Sequence, residues 1–249
     1  IVSSHPQVLA RAVAEFVEHL QGAPAARELR RAQVGRARKP FTDNLVAVTG
    51  AGSGIGRETA LAFARAGADV VISDIDQQGL AETARRVAAE SAEAHSYRLD
   101  VADAAAVEEF AAEVCATHGV PDVVVNNAGM TRDRMLFNMS DDEFDAVVRG
   151  HLRGHFLLSR NAAAHWRAQA KQQGGPVYGS VVNTASEAFL SGPPGQANYG
   201  AAKAGIAALT VATARALGSS GVRANAICPR ARTAMTAEVF GADTSGEAV

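Results

Sequence analysis

A tyrosine, a lysine and a serine stand at a spacing that suits proton transfer at the oxygen of a secondary alcohol. Tyr199 and Lys203 are four residues apart in a helix-forming segment, and Ser186 lies thirteen residues before the tyrosine. Residues four apart share a helix face, so the Lys203 ammonium can stabilise a Tyr199 phenolate, whose pKa is otherwise about 10. The Ser186 hydroxyl can hydrogen-bond the oxygen whose charge changes. We expect these residues to be catalytic, although an isolated Tyr-x-x-x-Lys pair is more often a packed surface pair.

A glycine-rich turn lies far upstream, between an apolar run and a helix-forming segment. Residues 49–56 read Thr-Gly-Ala-Gly-Ser-Gly-Ile-Gly and directly follow the run Leu-Val-Ala-Val at 45–48. Glycine permits a sharp turn and the close approach of a pyrophosphate, and the free N–H groups of a helix N-terminus favour anions. In this strand–turn–helix context the pattern predicts a dinucleotide site. Its expected contacts are Thr49, Gly50, Ser53, Gly54, Ile55 and Gly56.

An acidic residue ends the next apolar run. Asp74 follows the glycines by about twenty residues, where a carboxylate can accept hydrogen bonds from both ribose hydroxyls. It would repel a 2′-phosphate, and no arginine precedes Gly56 within the turn, so NAD is favoured over NADP. The alternative is that Asp74 caps a helix beginning near Gln77.

Short β-branched runs alternate with alanine-rich helical segments, which predicts an α/β fold with a Rossmann-type, doubly wound parallel sheet. Six strands are expected near 45–49, 70–74, 95–99, 122–126, 180–184 and 222–227. Helices are expected at 54–67, 77–90, 104–118, as a pair across 141–173, and at 197–218. Ligands of such sheets bind beyond the carboxyl ends of the strands, where both motifs fall.

From about Asn44 to Met235 these motifs together resemble the short-chain dehydrogenase/reductase family. The resemblance implies that Tyr199 is the general acid/base, that Lys203 lowers its pKa and binds the nicotinamide ribose, and that Ser186 orients the substrate. It also implies a homo-oligomer. Further cofactor contacts are implied at Asp100, Val101, Asn127, Ala128, Gly129, Tyr199, Lys203 and Pro229.

His151 stands where most of the family has an asparagine that completes a proton relay through water. This histidine and the segments 195–199 and 226–236 resemble the dehydrogenase unit of multifunctional β-oxidation enzymes, and bacterial relatives acting on acyl-CoA or steroid side-chain thioesters. Imidazole can relay a proton because one nitrogen donates while the other accepts. We therefore expect His151 to take part in catalysis. The alternative is a packed helix histidine, which is our interpretation of His155.

These features predict NAD-dependent oxidation of a secondary alcohol, with a 3-hydroxyacyl-CoA or a steroid side-chain thioester as the favoured small-molecule substrate. One alternative is a dehydrogenase of free hydroxysteroids or small alcohols. Another is a cofactor-binding module without activity. Arg230 and Arg232 could contact CoA phosphates, or simply be solvated.

Composition limits the remaining function classes. The 249 residues are 47% hydrophobic with a net charge of −2, which permits one substantial core and gives no electrostatic reason for nucleic-acid binding. Cys115 and Cys228 lack metal-ligand spacing, so no metal is expected. No apolar run is long enough to span a bilayer, and the first residues do not form a signal peptide. We expect a cytoplasmic protein.

Both ends depart from the family pattern. Residues 1–43 read as an amphipathic helix and a basic linker, and the helix resembles the last helix of an α/β-hydrolase, as in epoxide hydrolases fused to a short-chain dehydrogenase. The dehydrogenase domain is expected over 44–249, without the seventh strand usual in the family. The half before about Met130 resembles the fused dehydrogenase and the later half resembles the acyl-CoA type, as in a fragment or a recombinant.

Overall fold

The computed structural model describes residues 39–90 and 92–230. The strands within them are β1 Leu45–Thr49, β2 Asp69–Asp74, β3 Ala94–Arg98, β4 Val123–Asn126, β5 Ser180–Thr184 and β6 Arg223–Ile227. They form one parallel sheet in the order β3-β2-β1-β4-β5-β6. The predicted six-stranded, doubly wound sheet is confirmed, and every strand lies within one residue of its expected bounds.

Helices flank this sheet. They are α1 Gly54–Arg65, α2 Gln77–Ala89, α3 Ala104–Thr117, α4 Asp141–Val148, α5 Gly154–Gln173, α6 Ala188–Ser191 and α7 Ala197–Leu217. A π-helical turn, Arg149–Arg153, joins α4 to α5, and 3-10 turns occupy Leu136–Asn138 and Gly218–Ser220. The sequence predicted the longer helices but neither α6 nor the turn Leu136–Asn138.

The core lies on both faces of the sheet. Strands β1, β4 and β5 are buried along their whole length, as expected when helices cover a parallel sheet on both sides. Successive strand residues point to opposite faces. Accordingly Val46 packs in a cluster with Phe63, whereas Ala47 packs in a second cluster with Leu157 and Trp166. The carboxyl ends of the central strands are thereby held at one edge of a rigid sheet.

The core includes a residue that precedes the predicted domain start at residue 44. Phe41 is 1% exposed, and its ring packs edge-to-face on that of Phe63 with the centroids 5.0 Å apart. The Phe41 N–H also donates to the Ala66 carbonyl at 2.9 Å. Phe41 therefore packs in the core although it precedes residue 44, and the division of the chain at residue 44 stays a prediction. The expected helix and most of the basic linker lie outside the described residues.

Two buried amides join β4 to β5 near their carboxyl ends. Asn126 and Asn183 are paired in register, and Asn126 Nδ2 donates to Asn183 Oδ1 at 2.9 Å. Asn126 Nδ2 also donates to Ser159 Oγ on α5 at 3.1 Å, and Asn183 Nδ2 donates to Thr210 Oγ1 on α7 at 2.9 Å. These bonds hold the ends of two strands and two helices together directly beneath the candidate site.

Candidate active site

The turn after β1 packs directly on the turn after β4. Gly50 has a φ of 65°, and a Cβ there would lie 2.7 Å from Ala128 Cα. A Cβ on Gly56 would lie 2.1 Å from the Gly50 carbonyl oxygen. Thr49 Oγ1 accepts hydrogen bonds from the N–H groups of Asn127 and Ala128 at 3.0 and 3.1 Å. The structure thus brings these five predicted cofactor residues together.

Helix α1 begins at Gly54, directly after this turn. Ser53 precedes the helix in an extended conformation and makes no side-chain cap hydrogen bond. The first N–H groups of a helix have no partner within it, so those near Gly54 and Ile55 can bind an anion. The close-packed glycine turn and the uncapped helix end fit a dinucleotide pyrophosphate.

Asp74, at the end of β2, faces the glycine turn. Its Oδ2 accepts the Gly52 N–H at 2.8 Å, and its Oδ1 accepts the Asp76 N–H at 3.0 Å. The cap of α2 is Asp76, which accepts the Gln78 N–H at 3.0 Å. The alternative that Asp74 caps this helix is therefore wrong, and its carboxylate lies at the turn where a ribose would bind.

Arg57 follows the glycine turn, and its side chain folds back onto the backbone of that turn. Its Nε donates to Thr83 Oγ1 at 2.9 Å, and its Nη2 donates to the Gly52 carbonyl. Burial is the main effect that lowers its pKa. The guanidinium is thus bonded both to helix α2 and to the backbone of the glycine turn.

The remaining expected cofactor residues lie at the same edge of the sheet. Asp100 is exposed and follows β3, where its Oδ1 accepts the Ala102 N–H at 2.9 Å. Val101 is buried against Gly154, at which a Cβ would lie 2.8 Å from Val101 Cγ2. Pro229 is half-buried after β6. Parallel strands place these three residues on the side of the sheet that also bears the glycine turn.

Tyr199 lies in the first turn of α7, and Ser186 follows β5. Burial raises the pKa of the Tyr199 phenol, a hydrogen bond with the Ser186 side chain lowers it, and charges at Asp133 and Cys228 raise it further. The net shift is upward. The structure brings Ser186 and Tyr199 into contact, as predicted, but favours the neutral phenol at neutral pH.

Lys203 lies beneath Tyr199 and is 2% exposed. Its Nζ donates to the Thr184 carbonyl at 2.5 Å and lies 5.4 Å from the centroid of the Tyr199 ring. Burial lowers the pKa of Lys203 to about 7. The spacing therefore predicted the proximity of the two residues correctly. The expected lowering of the Tyr199 pKa by Lys203 is not seen: only the hydrogen bond with Ser186 lowers this pKa, and burial of the phenol raises it more.

His151 lies in the π-helical turn, with its ring against Gly129. A Cβ on Gly129 would lie 1.9 Å from His151 Cε1, so only glycine leaves room for this ring. The ring packs edge-on against Tyr199, with the centroids 5.2 Å apart and an interplanar angle of 85°. His151 Nε2 lies 2.8 Å from the Met130 carbonyl oxygen and 3.1 Å from the Met130 nitrogen. One tautomer donates to the carbonyl, and the other accepts the N–H.

His151 is neutral in this environment. Burial, and after it the charge of Lys203, lower its pKa to about 3. Its Nδ1 is buried and has no hydrogen-bond partner among the described residues. While Nε2 stays bound to Met130, a proton can be exchanged only at Nδ1. His155 is also buried, which lowers its pKa well below the usual value, in keeping with a packed histidine.

Sequence reasoning missed residues around Tyr199 that the structure reveals. Asn198 is completely buried and hydrogen-bonds the Tyr199 backbone, whereas Asp133 accepts a hydrogen bond from Gln196 at 2.8 Å. The one available signal was an asparagine directly before the tyrosine at a helix start. Arg230 forms an ion pair with Glu187 at 3.2 Å, and Arg232 lies outside the described residues.

Other kinds of site are not found in the described part of the chain. Over residues 39–90 and 92–230, no three side chains form a group that could hold a metal ion. None of the helices in those ranges is long and apolar enough to cross a membrane. The two cysteines are free thiols.

The chain is similar to known dehydrogenases. Residues 44–243 match the family model described as short chain dehydrogenase. The hydroxyacyl-CoA dehydrogenase ChsB1 of Mycobacterium tuberculosis is 54% identical over 224 residues, which cover 85% of this chain and 70% of that protein. The probable oxidoreductase EphD of Mycobacterium bovis is 44% identical over 226 residues, which cover 91% of this chain but 37% of EphD.

A solved structure shares the same architecture. The crystal structure of a short chain dehydrogenase from Mycobacterium avium superposes with a TM-score of 0.74 and 45% sequence identity, covering 78% of this chain and 70% of that one.

Proposed function

The chain belongs to the short-chain dehydrogenase family, and from this premise we propose that it oxidises a secondary alcohol to a ketone with NAD. The favoured substrate is a 3-hydroxyacyl-CoA or a steroid side-chain thioester. The observation that carries the proposal is the contact of Tyr199 with Ser186 beside Lys203, at the sheet edge that bears the glycine turn. The thioester is supported by the name of the 54% identical relative, a hydroxyacyl-CoA dehydrogenase.

Residues around the glycine turn would hold the cofactor. The uncapped start of α1 and residues 49–56 would bind the pyrophosphate, and Asp74 would accept hydrogen bonds from the ribose hydroxyls. When bound, NAD supplies the hydride acceptor for the carbinol carbon. NAD is favoured over NADP because the Asp74 carboxylate would repel a 2′-phosphate and Arg57 is already bonded to the turn.

Tyr199 would take the proton of the substrate hydroxyl. Ser186, bonded to Tyr199, would orient the substrate oxygen. Lys203 titrates near neutral pH, and its ammonium form favours the phenolate by charge attraction. His151 would exchange protons through Nδ1, since Nε2 is bound to the Met130 backbone. The chain itself thus supplies position and proton transfer.

Replacing Tyr199 with phenylalanine tests this assignment. Tyr199→Phe should abolish oxidation of 3-hydroxybutyryl-CoA while leaving NADH binding intact, because only the proton carrier is lost. Turnover is followed by NADH absorbance and binding by NADH fluorescence. Tyr178→Phe is the matched control, since Tyr178 lies after α5, away from Ser186. Turnover by Tyr199→Phe at the parent rate would overturn the assignment.

Two alternative functions are separated by the same assays. A dehydrogenase of free hydroxysteroids or small alcohols would oxidise 3-hydroxybutyrate as fast as its CoA thioester, whereas our proposal requires the thioester to react faster. A module that only binds its cofactor would take up NADH yet transfer no hydride to any of these substrates.

Several broader features are part of the proposal. We propose that the protein is cytoplasmic and homo-oligomeric. We also propose that residues 1–43 derive from an α/β-hydrolase and that the later half of the domain is of the acyl-CoA type. Size-exclusion chromatography with light scattering tests the oligomer, and a monomeric mass would contradict it.

A further inference from the structure

A buried asparagine directly precedes the candidate acid/base. Asn198 is the second residue of α7, and its side chain is 0% exposed. Its Oδ1 accepts the N–H of Tyr199 at 2.7 Å. Its Nδ2 donates to two carbonyls, that of Arg132 at 2.9 Å and that of Glu143 at 3.2 Å. The amide therefore uses both its acceptor and its donor groups, each on a different segment of the chain.

The bond to Tyr199 supplies a partner for one of the first N–H groups of helix α7. The first N–H groups of a helix have no partner within it, and Gln196, at the N-cap, makes no side-chain cap hydrogen bond. Asn198 Oδ1 takes the N–H of Tyr199 itself. The side chain thus fixes the backbone of the residue whose phenol would carry the proton.

The amide nitrogen of Asn198 binds two other segments of the chain. Arg132 lies in the loop after β4, two residues beyond Met130, whose backbone binds His151. Glu143 belongs to α4. Two further bonds join the same segments, from the Arg134 N–H to the Gly195 carbonyl and from Gln196 to Asp133, both at 2.8 Å. Among these three links, Asn198 provides the buried one.

We infer that Asn198 is a positioning residue for Tyr199. It bridges α7 to the backbone of Arg132 and Glu143, and so holds Tyr199 in place relative to Ser186 and His151. The inference rests on the proposed function, in which Tyr199 is the acid/base. Asn198 itself does not touch the reacting atoms.

The expected consequence is a change in the ionisation of Tyr199. The groups around the phenol are Ser186, whose hydrogen bond lowers its pKa, and Asp133 and Cys228, which raise it. Lys203 lies beneath the ring and neutral His151 packs against its face. If the first turn of α7 relaxes, the hydrogen bond to Ser186 is lost before the effects of the more distant charges change. The Tyr199 pKa should then rise.

The experiment compares Asn198→Ala and the near-isosteric Asn198→Leu with Asn161→Ala. The control also loses an asparagine amide, which donates to the Leu157 carbonyl at 2.9 Å within α5. Tyrosine labelled with carbon-13 allows the Tyr199 phenol to be titrated by NMR in the folded protein, because the chain has only three tyrosines. Tyr199→Phe assigns the signal, and thermal unfolding shows that each variant is folded.

We expect the Tyr199 titration to move to higher pH in Asn198→Ala and in Asn198→Leu, neither of which adds a charge near the phenol. The kcat for oxidation of 3-hydroxybutyryl-CoA should fall between about 10- and 100-fold, as for a small misplacement of a catalytic group. NADH affinity should not change, because the glycine turn is untouched. Asn161→Ala should alter neither the titration nor kcat.

A Tyr199 titration in both folded Asn198 variants that matches the Asn161→Ala control would overturn the inference, as would a fall in kcat no larger than that of the control. If Asn198→Ala does not fold, the Asn198→Leu variant decides, since leucine fills the volume of the asparagine while all three hydrogen bonds of the amide are lost. The titration needs no substrate, so its result is distinguishable from a failure of the proposed reaction, which Tyr199→Phe reports.

Discussion

Gly129→Ala should destabilise the protein through a single contact, that with the His151 ring. A Cβ at this position would lie 1.9 Å from Cε1, 2.4 Å from Nδ1 and 2.7 Å from Nε2 of the ring. Carbon atoms pack at about 3.5 Å, so the ring would have to move by roughly 1.6 Å. That movement would break the hydrogen bond between Nε2 and the Met130 backbone. Overpacking and one lost buried hydrogen bond together cost about 2 to 4 kcal/mol.

Urea unfolding of four variants isolates this effect. Gly175→Ala is the matched control, because a Cβ there meets nothing within 4 Å and Gly175 does not have a positive φ. It should leave the free energy of unfolding unchanged. In a protein that already carries His151→Ala, Gly129→Ala should lower the free energy of unfolding only slightly, because the imidazole ring that the new methyl group would contact is absent. An equal cost of Gly129→Ala with and without the His151 ring would refute the reasoning.

The remaining predictions concern charged residues of the site. Asp74→Asn should weaken NAD binding by at least about tenfold, because hydrogen bonds to a charged group are worth about 1.5–3 kcal/mol. It should also reduce the preference for NAD over NADP, and an unchanged ratio of the two affinities in fluorescence titrations would contradict this. Between about pH 7 and pH 10.5, Lys203 is protonated in the unfolded protein but not in the folded, cofactor-free protein. The free energy of unfolding should therefore rise with pH, by up to about 1.4 kcal/mol per pH unit. Lys203→Met should lack this slope in urea unfolding, and identical slopes for the two proteins would disprove the assignment.

The fold could be predicted because its signals are local. Strand β1, the glycine turn and the start of α1 follow one another within residues 45–56, and each is encoded by its own residue types. The same holds for Tyr199 and Lys203, whose proximity needs only a helix. Six predicted strands separated by helices then leave few arrangements for the sheet.

Contacts between distant segments could not be predicted in this way. The i,i+4 spacing places Lys203 near Tyr199, but its bond to the Thr184 carbonyl depends on how α7 packs on β5. The burial that raises the Tyr199 pKa is likewise a property of the folded site. Neither the fit of His151 against Gly129 nor the place of Phe41 in the core has a local signal.

The asparagine pair between β4 and β5 has a consequence for how this sequence can change. Asn126 Nδ2 donates to Asn183 Oδ1 inside the sheet, and each of the two amides also donates to a helix hydroxyl. An apolar substitution of one would remove the hydrogen bond between the two buried amides and leave the other without its cross-strand partner, at a cost of about 1–3 kcal/mol. The two positions should therefore vary jointly in evolving lineages, and a library that randomises only one of them should return asparagine.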